Sequence, residues 1–81
     1  MKVQLKFFSI LRGRFGVSEK EIEIQGPKEA REIFYALFED RTVAEGLIRF
    51  TRFAVNGEYV PVETLVQDGN ELAFIPPVSG G

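Results

Sequence analysis

One helical stripe limits what this chain can fold into. Apolar residues fall at Ala30, Ile33, Phe34, Leu37 and Phe38, a spacing that lines one face of a helix and needs a sheet or another helix to cover it. The segments before it keep a different period. Val3, Leu5 and Phe7 alternate with Lys2, Gln4, Lys6 and Phe8, and Ile22 and Ile24 alternate with Glu21 and Glu23. Period two with β-branched and aromatic content predicts strands. Ser18-Glu19-Lys20-Glu21 has the pattern of a capping box, but the alternation after it is a strand's, so no helix is expected there. Residues 9–17, broken by Gly13 and Gly16, read as a loop, with one helical turn opened by Ser9 as the alternative. The two strands flanking this short connection are expected to pair as an antiparallel hairpin.

Gly26-Pro27 punctuates the chain, and Pro27 suits the first helical position because its missing N–H costs nothing there. Glu29 and Glu32 in the first turn agree with the helix dipole, whereas Glu39-Asp40 at the far end do not. The helix therefore stops near Asp40, or a second short helix begins at Thr42, where Thr42-Val43-Ala44-Glu45 is another capping box. Arg52 to Asn56 reads as a short strand with Phe53 and Val55 on one face, closed by the Asn56-Gly57 turn. Glu58 to Pro61 reads as a short edge strand, since Pro61 cannot donate to a ladder. Asp68-Gly69 marks another turn. Asn70 to Ile75 is the last strand, with Leu72 and Phe74 facing one way and Ala73 and Ile75 the other.

The order strand, strand, helix, strand, short strand, strand predicts an α+β roll, a mixed sheet packed on one main helix. The crossover helix returns the next strand to the same sheet. Residues 1–75 form the domain and residues 76–81 a tail. The sheet face away from the helix gathers Phe8, Ala54, Ala73 and Ile75 with Gln4 and Lys6, and no second helix is long enough to cover it. Exposed apolar patches mark interaction sites. The plainer alternative is that residues 9–17 or 42–50 fold over part of it.

Composition narrows function by exclusion. The chain has 81 residues, which is one domain, since a second could not bury its own core. It contains no Cys and no His, which removes disulfides, thiolate metal sites, Cys nucleophiles and the commonest general base and metal ligand. No conventional active site and no metal centre are expected. A formal net charge of −2 argues against a nucleic-acid partner, which would need excess Lys and Arg. No segment resembles a signal peptide or approaches the roughly 20 apolar residues of a membrane span, so a cytoplasmic protein with no membrane partner is expected. Glu19, Glu21 and Glu23 read as a solvated strand face, and Arg12 and Arg14 as a solvated loop.

The end of the chain is different. The last strand runs directly into Pro76-Pro77-Val78-Ser79-Gly80-Gly81. Two prolines cannot continue a sheet and hold a polyproline φ. A tip without Cβ atoms can enter a channel too narrow for other residues. Fully extended, residues 76–81 reach about 20 Å, enough to place Gly81 inside a partner while the domain docks outside. The bland alternative is a frayed terminus.

At these residues the chain resembles the small subunit of molybdopterin synthase, the MoaD family of ubiquitin-like β-grasp sulfur carriers. The likeness rests on Val3-Gln4-Leu5-Lys6-Phe7-Phe8 with Leu11-Arg12 and Gly16, on Ala54-Val55-Asn56-Gly57, and on Asp68-Gly69-Asn70-Glu71-Leu72-Ala73-Phe74-Ile75-Pro76-Pro77-Val78-Ser79-Gly80-Gly81. Asn70 departs from the Asp expected there, a change that keeps the turn. Residues 27–50 match only as helix plus loop.

The resemblance implies a β-grasp fold and a non-catalytic subunit whose reactive group is the Gly81 carboxylate. A ubiquitin-activating-type adenylating enzyme uses ATP to join Gly81 to AMP. A sulfur donor protein displaces the AMP and leaves a thiocarboxylate. The synthase large subunit, assembled with this chain in a heterotetramer, then receives the tail and passes its sulfur to a pterin precursor, forming the dithiolene of molybdopterin. In this picture Gly80, Ser79, Val78, Pro77 and Pro76 thread and guide the tail, Phe8 and Ile75 contribute to docking, and no cofactor is bound permanently. The alternatives are a sulfur carrier for thiamine synthesis or tRNA thiolation, a ubiquitin-like modifier joined through Gly81 to lysines, and an interaction module with an inert tail.

Overall fold

The computed structural model describes residues 1–77. A five-stranded mixed sheet carries the order β2-β1-β7-β4-β5, built from β1 (Lys2–Phe7), β2 (Glu19–Glu23), β4 (Arg52–Val55), β5 (Glu58–Val60) and β7 (Glu71–Ile75). β3 (Lys28–Glu29) and β6 (Leu65–Val66) form a separate two-stranded pair. The helices are α1 (Ser9–Phe15), α2 (Ala30–Ala36) and α3 (Arg41–Ile48). β1 and β2 pair antiparallel as the alternation predicts, and β1 and β7 run parallel at the centre, with Leu5 opposite Leu72 and Phe7 opposite Phe74.

One face of this sheet builds the core. Val3, Leu5, Phe7, Phe53, Leu72 and Phe74 from the strands pack with Leu11, Ile33, Phe34 and Ala44 from the three helices. Phe34 stands at the middle, its ring centroid 5.5 Å from Phe53, 5.3 Å from Phe74 and 4.9 Å from Phe38. The α+β class and the mixed sheet are as expected. The helical layer is instead divided among three short helices.

Each departure from the sequence reading has a local cause. Residues 9–15 form a helix, not a loop, because Leu11 and Phe15 lie one turn apart and both pack inward. Gly16 closes it at φ 76°, its N–H donating to the Arg12 carbonyl at 2.9 Å, the left-handed stop that glycine adopts without strain. Ser9 does not cap this helix with its side chain; Phe8 holds the N-cap position in extended geometry.

The central helix starts at Ala30, so Pro27 is not its first residue. Residues 28 and 29 are drawn into the pair with β6, and the loop before β6 supplies what a cap would have supplied. The Ala30 and Arg31 N–H groups donate to the Thr64 and Val62 carbonyls, both at 2.9 Å. Two of the orphan donors of a helix start are thereby satisfied by backbone. The stripe is cut after Ala36, and α3 opens with Asp40, not Thr42, as its cap. Asp40 Oδ1 accepts the Thr42 N–H at 2.9 Å, the usual work of an N-cap aspartate.

Candidate functional site at the end of the central strand

The proline-rich tail leaves the sheet from β7, which has a strand on either side. β7 pairs with β1 on one flank and with β4 on the other, where Ile75 lies opposite Arg52. The last β1–β7 pair is Phe7 with Phe74. Phe8 continues from β1 with extended φ −123° and ψ 156°, which carries it level with Ile75 on the parallel register. Phe8, Ile75 and Arg52 thus form one row across the mouth from which the tail departs. Pro76 is buried and Pro77 exposed. Val78, Ser79, Gly80 and Gly81, the rest of the expected threading segment and its reactive carboxylate, lie outside the described residues.

Register parity sets the surface beside this row. The next row on the outer face runs Glu19, Lys6, Ala73, Ala54, Tyr59 across all five strands. Ala54 and Ala73 are only 6% and 8% exposed, yet neither belongs to the core cluster. They form a shallow floor of small side chains between larger neighbours in register. Phe8 is 43% exposed and Tyr59 64%, and Ile75 is half-buried. The helices α1 and α3 pack on the opposite side through Leu11 and Ala44, so neither folds over this face. Of the expected patch, Phe8 is exposed and Ile75 half-buried with no helix packed over them, whereas Ala54 and Ala73 are buried beneath their larger neighbours.

Its electrostatics are those of an exposed surface. Lys6 Nζ lies 3.4 Å from Glu71 Oε2, with both side chains more than a third exposed, and pairs of this kind contribute little to stability. The Arg52 guanidinium lies 5.5 Å from the Tyr59 ring centroid. Arg52 and Tyr59 were not singled out from the sequence. The signal was present, since alternation through Arg52-Phe53-Ala54-Val55 puts Arg52 on the face that Phe53 avoids.

Two turns fix the strands that carry the site. Asn56 and Gly57 take φ 50° and 86°, the left-handed pair of a tight hairpin. The Asn56 side chain reaches beyond that hairpin, where its Oδ1 accepts the Glu71 N–H at 2.9 Å. At the other turn, Lys2 donates its N–H to Asp68 Oδ1 at 2.7 Å and accepts from the Gly69 N–H at 2.8 Å. Asn70 Oδ1 accepts the Gln67 N–H at 2.7 Å, an acceptor role that an aspartate would fill equally, so the Asn keeps the turn. Ser9 sits at φ 54°, a left-handed conformation rare outside glycine, and bends the chain off the end of β1 directly behind Phe8.

Among the described residues no cluster of His, Cys, Asp or Glu could hold a metal ion, and no helix is long and apolar enough to cross a membrane. The structure offers an open sheet face with a proline-rich tail leaving beside it.

A five-stranded mixed sheet with its helices on one face and its last strand at the centre defines a ubiquitin-like β-grasp protein. The chain belongs to the ThiS family, whose model matches residues 5–81. It is 28% identical to the molybdopterin synthase sulfur carrier subunit of Chlamydomonas reinhardtii over 100% of both chains. Among solved structures it resembles SAMP1 from Haloferax volcanii, with a TM-score of 0.78, 24% identity and all of both chains covered. It also resembles a chain in the complex of subunits 1 and 2 of the molybdopterin-converting factor from Helicobacter pylori, with a TM-score of 0.65, 24% identity and all of both chains covered.

Proposed function

We propose that the protein is the sulfur carrier subunit of a molybdopterin synthase, with the Gly81 carboxylate as its reactive group. The observation that carries this reading is the placement of the tail. The strand that feeds Pro76-Pro77-Val78-Ser79-Gly80-Gly81 is held between two neighbours and ends beside an open, partly apolar face. A partner that seats on that face receives a tail whose first residue is anchored and whose last two lack side chains. Membership of the family and the likeness to molybdopterin synthase carriers over the whole chain support it.

The chemistry then divides between partners. A free carboxylate resists attack because oxide is a poor leaving group. An adenylating enzyme of the ubiquitin-activating type lets the Gly81 carboxylate attack the α-phosphorus of ATP, releasing pyrophosphate and forming an acyl-adenylate. Sulfur held on a donor protein displaces AMP, and reductive cleavage of its bond to the donor by a thiol then leaves a thiocarboxylate on Gly81. The large subunit binds the sheet face through Phe8 and Ile75, takes the tail along Pro76 to Gly80 into its own site, and directs the sulfur onto a pterin precursor. Two such transfers supply the two sulfurs of the dithiolene, each returning Gly81 to a carboxylate. This chain supplies the carried atom and the docking surface, holds no cofactor of its own, and assembles with the large subunit as a heterotetramer. A cytoplasmic cycle is part of the same proposal.

The test is intact mass after incubation with the activating enzyme, ATP and a sulfur source. The expected result is a gain equal to one oxygen exchanged for one sulfur, absent when Gly81 is deleted. An unchanged mass, with the activating enzyme active on another carrier, would overturn the reading. A ladder of lysine adducts would make the protein a modifier instead.

A further inference from the structure

The second surface lies at the edge of the sheet formed by β2. β2 ends the strand order, and no strand of the described residues lies beyond it. Ladder parity shows which groups that edge presents. The Ile24 N–H donates to the Met1 carbonyl at 2.7 Å, the Met1 amino group to the Ile24 carbonyl at 2.9 Å, and the Phe7 N–H to the Ser18 carbonyl at 2.9 Å. Bonded and unbonded pairs alternate in an antiparallel ladder, so Ser18, Lys20, Ile22 and Ile24 direct their backbone groups to β1. Glu19, Glu21 and Glu23 turn theirs outward. Their side chains stand on the outer sheet face, opposite Lys6, Gln4 and Lys2 in register. Lys20, Ile22 and Ile24 take the helix side.

Against this edge, Ile22, Ile24, Ile33, Ala36 and Leu37 line a groove of about 300 Å³ between β2 and α2. Ile24 and Ile33 are its buried floor, while Ile22 and Leu37 are half-exposed. The three glutamates are weakly engaged within the chain. Lys2 Nζ lies 3.9 Å from Glu21 Oε2 with both side chains well exposed, and Gln4 Nε2 donates to Glu19 Oε1 at 3.3 Å. Glu23 makes no ion pair among the described residues.

These features select an occupant. A second copy pairing edge to edge would set glutamate against glutamate, and like charges directly opposite are unfavourable. A strand bonded to the free groups of Glu19, Glu21 and Glu23 would hold alternate side chains over the carboxylates and the rest in the apolar groove. We infer that the β2 edge is a docking site for an extended segment of a partner protein in which lysine or arginine alternates with valine, isoleucine or leucine, added as a further strand of the sheet. Main-chain bonds give such addition its affinity and alternate side chains its specificity. β1 separates this edge from β7, so it can be filled while the tail is engaged, and the inference stands whether or not the tail carries sulfur.

The experiment is a titration of the full, isotopically labelled chain with a short amidated peptide alternating lysine and valine, followed by amide and methyl resonances. Saturable shifts are expected at the Glu19, Glu21 and Glu23 amides and at the Ile22 and Leu37 methyls, with new exchange protection confined to those three amides. Replacing all three glutamates by glutamine weakens binding about fivefold or more, the expectation for three lost cross-strand charge pairs. Glu21→Pro removes one outward N–H at an edge position where proline is tolerated and abolishes binding with the remaining spectrum unchanged. Shifts centred on Ala73 and Ile75, equal binding of a glutamate–valine peptide, or no binding at millimolar peptide would each overturn the proposal. So would concentration-dependent shifts at the same amides without peptide, which would make the occupant a second copy.

Discussion

Phe53 and Phe74 face each other across the β4–β7 ladder, their ring centroids 5.3 Å apart and their planes at 82°. Phe34 descends from α2 onto both, which makes a triangle of edge-on and tilted rings. Such geometries add to the area that the rings bury. The triangle closes one residue before Ile75, so the part of the core with the most aromatic contact fixes the strand from which the tail leaves.

Phe74→Ala is accordingly expected to cost about 3–5 kcal/mol, the usual loss for a buried phenylalanine. For a chain this small that removes most of the stability. Urea unfolding should show the midpoint falling with an unchanged slope, and partner binding should fail together with the fold.

Gly81→Ala should do the opposite. The residue lies beyond the last strand, so the melting temperature should stay within about 3 °C, as for a surface change worth less than about 0.5 kcal/mol. Thiocarboxylate formation, followed by intact mass, should drop to a small fraction of the wild-type yield, because the added methyl sits next to the carbon that is adenylated. A mutant that loads normally would show that the activating site accepts a side chain at position 81, and the narrow-tip argument for glycine would fail.

Ile75→Lys separates docking from folding. The side chain is half-buried on the outer face, opposite Arg52 in register. A lysine there sets two cations side by side across the ladder, an arrangement that costs up to about 1 kcal/mol. The domain should remain folded, while affinity for the large subunit, measured by calorimetry, should weaken about tenfold or more, as for an apolar interface position made charged. Unchanged affinity would move the docking surface away from the tail mouth.

Much of this was legible in the sequence because strand periodicity is a local signal. Val3-Leu5-Phe7 and Leu72-Phe74 declare their buried face without reference to the rest of the chain, and Pro76-Pro77 declare where the sheet must end. What was not legible depended on distant partners. Nothing near Ala30 reveals that its N–H will be met by Thr64, so Pro27 looked like the natural helix start. Lys28-Glu29 and Leu65-Val66 are too short to show a period and become strands only by finding each other. α1 was hidden because two glycines in a short window look like a loop until Leu11 and Phe15 are seen to share a face. Arg52 and Tyr59 became part of the site only once the strand order placed β4 beside β7 and β5 beyond β4.

Asp40 tests one of these corrections directly. Its carboxylate accepts the Thr42 N–H at 2.9 Å and opens α3, so Asp40→Ala should destabilise the domain by about 1 kcal/mol. Thr42→Ala should change stability by less than about 0.5 kcal/mol, as an exposed position without a capping role. The reverse order in paired denaturation curves would return the cap to Thr42.

Asn56 offers the finest discrimination, because three demands meet there. Its backbone holds φ 50°, its N–H donates to the Glu71 carbonyl at 2.9 Å, and its Oδ1 accepts the Glu71 N–H at 2.9 Å. Both backbone groups of the first β7 residue are therefore tied to one side of the hairpin. Asn56→Asp keeps an acceptor and tolerates the left-handed region, so it should remain near wild-type stability. Asn56→Gly keeps the conformation but leaves the Glu71 N–H to solvent, which should cost about 1 kcal/mol. Asn56→Ala loses the acceptor and adds the left-handed penalty of about 1–2 kcal/mol. Chemical denaturation should rank the variants Asp, Gly, Ala in falling stability. Amide exchange at Glu71 should quicken in the last two and stay slow in the first. If Gly and Asp proved equally stable, the bond to Glu71 would contribute nothing, and the turn alone would account for the asparagine.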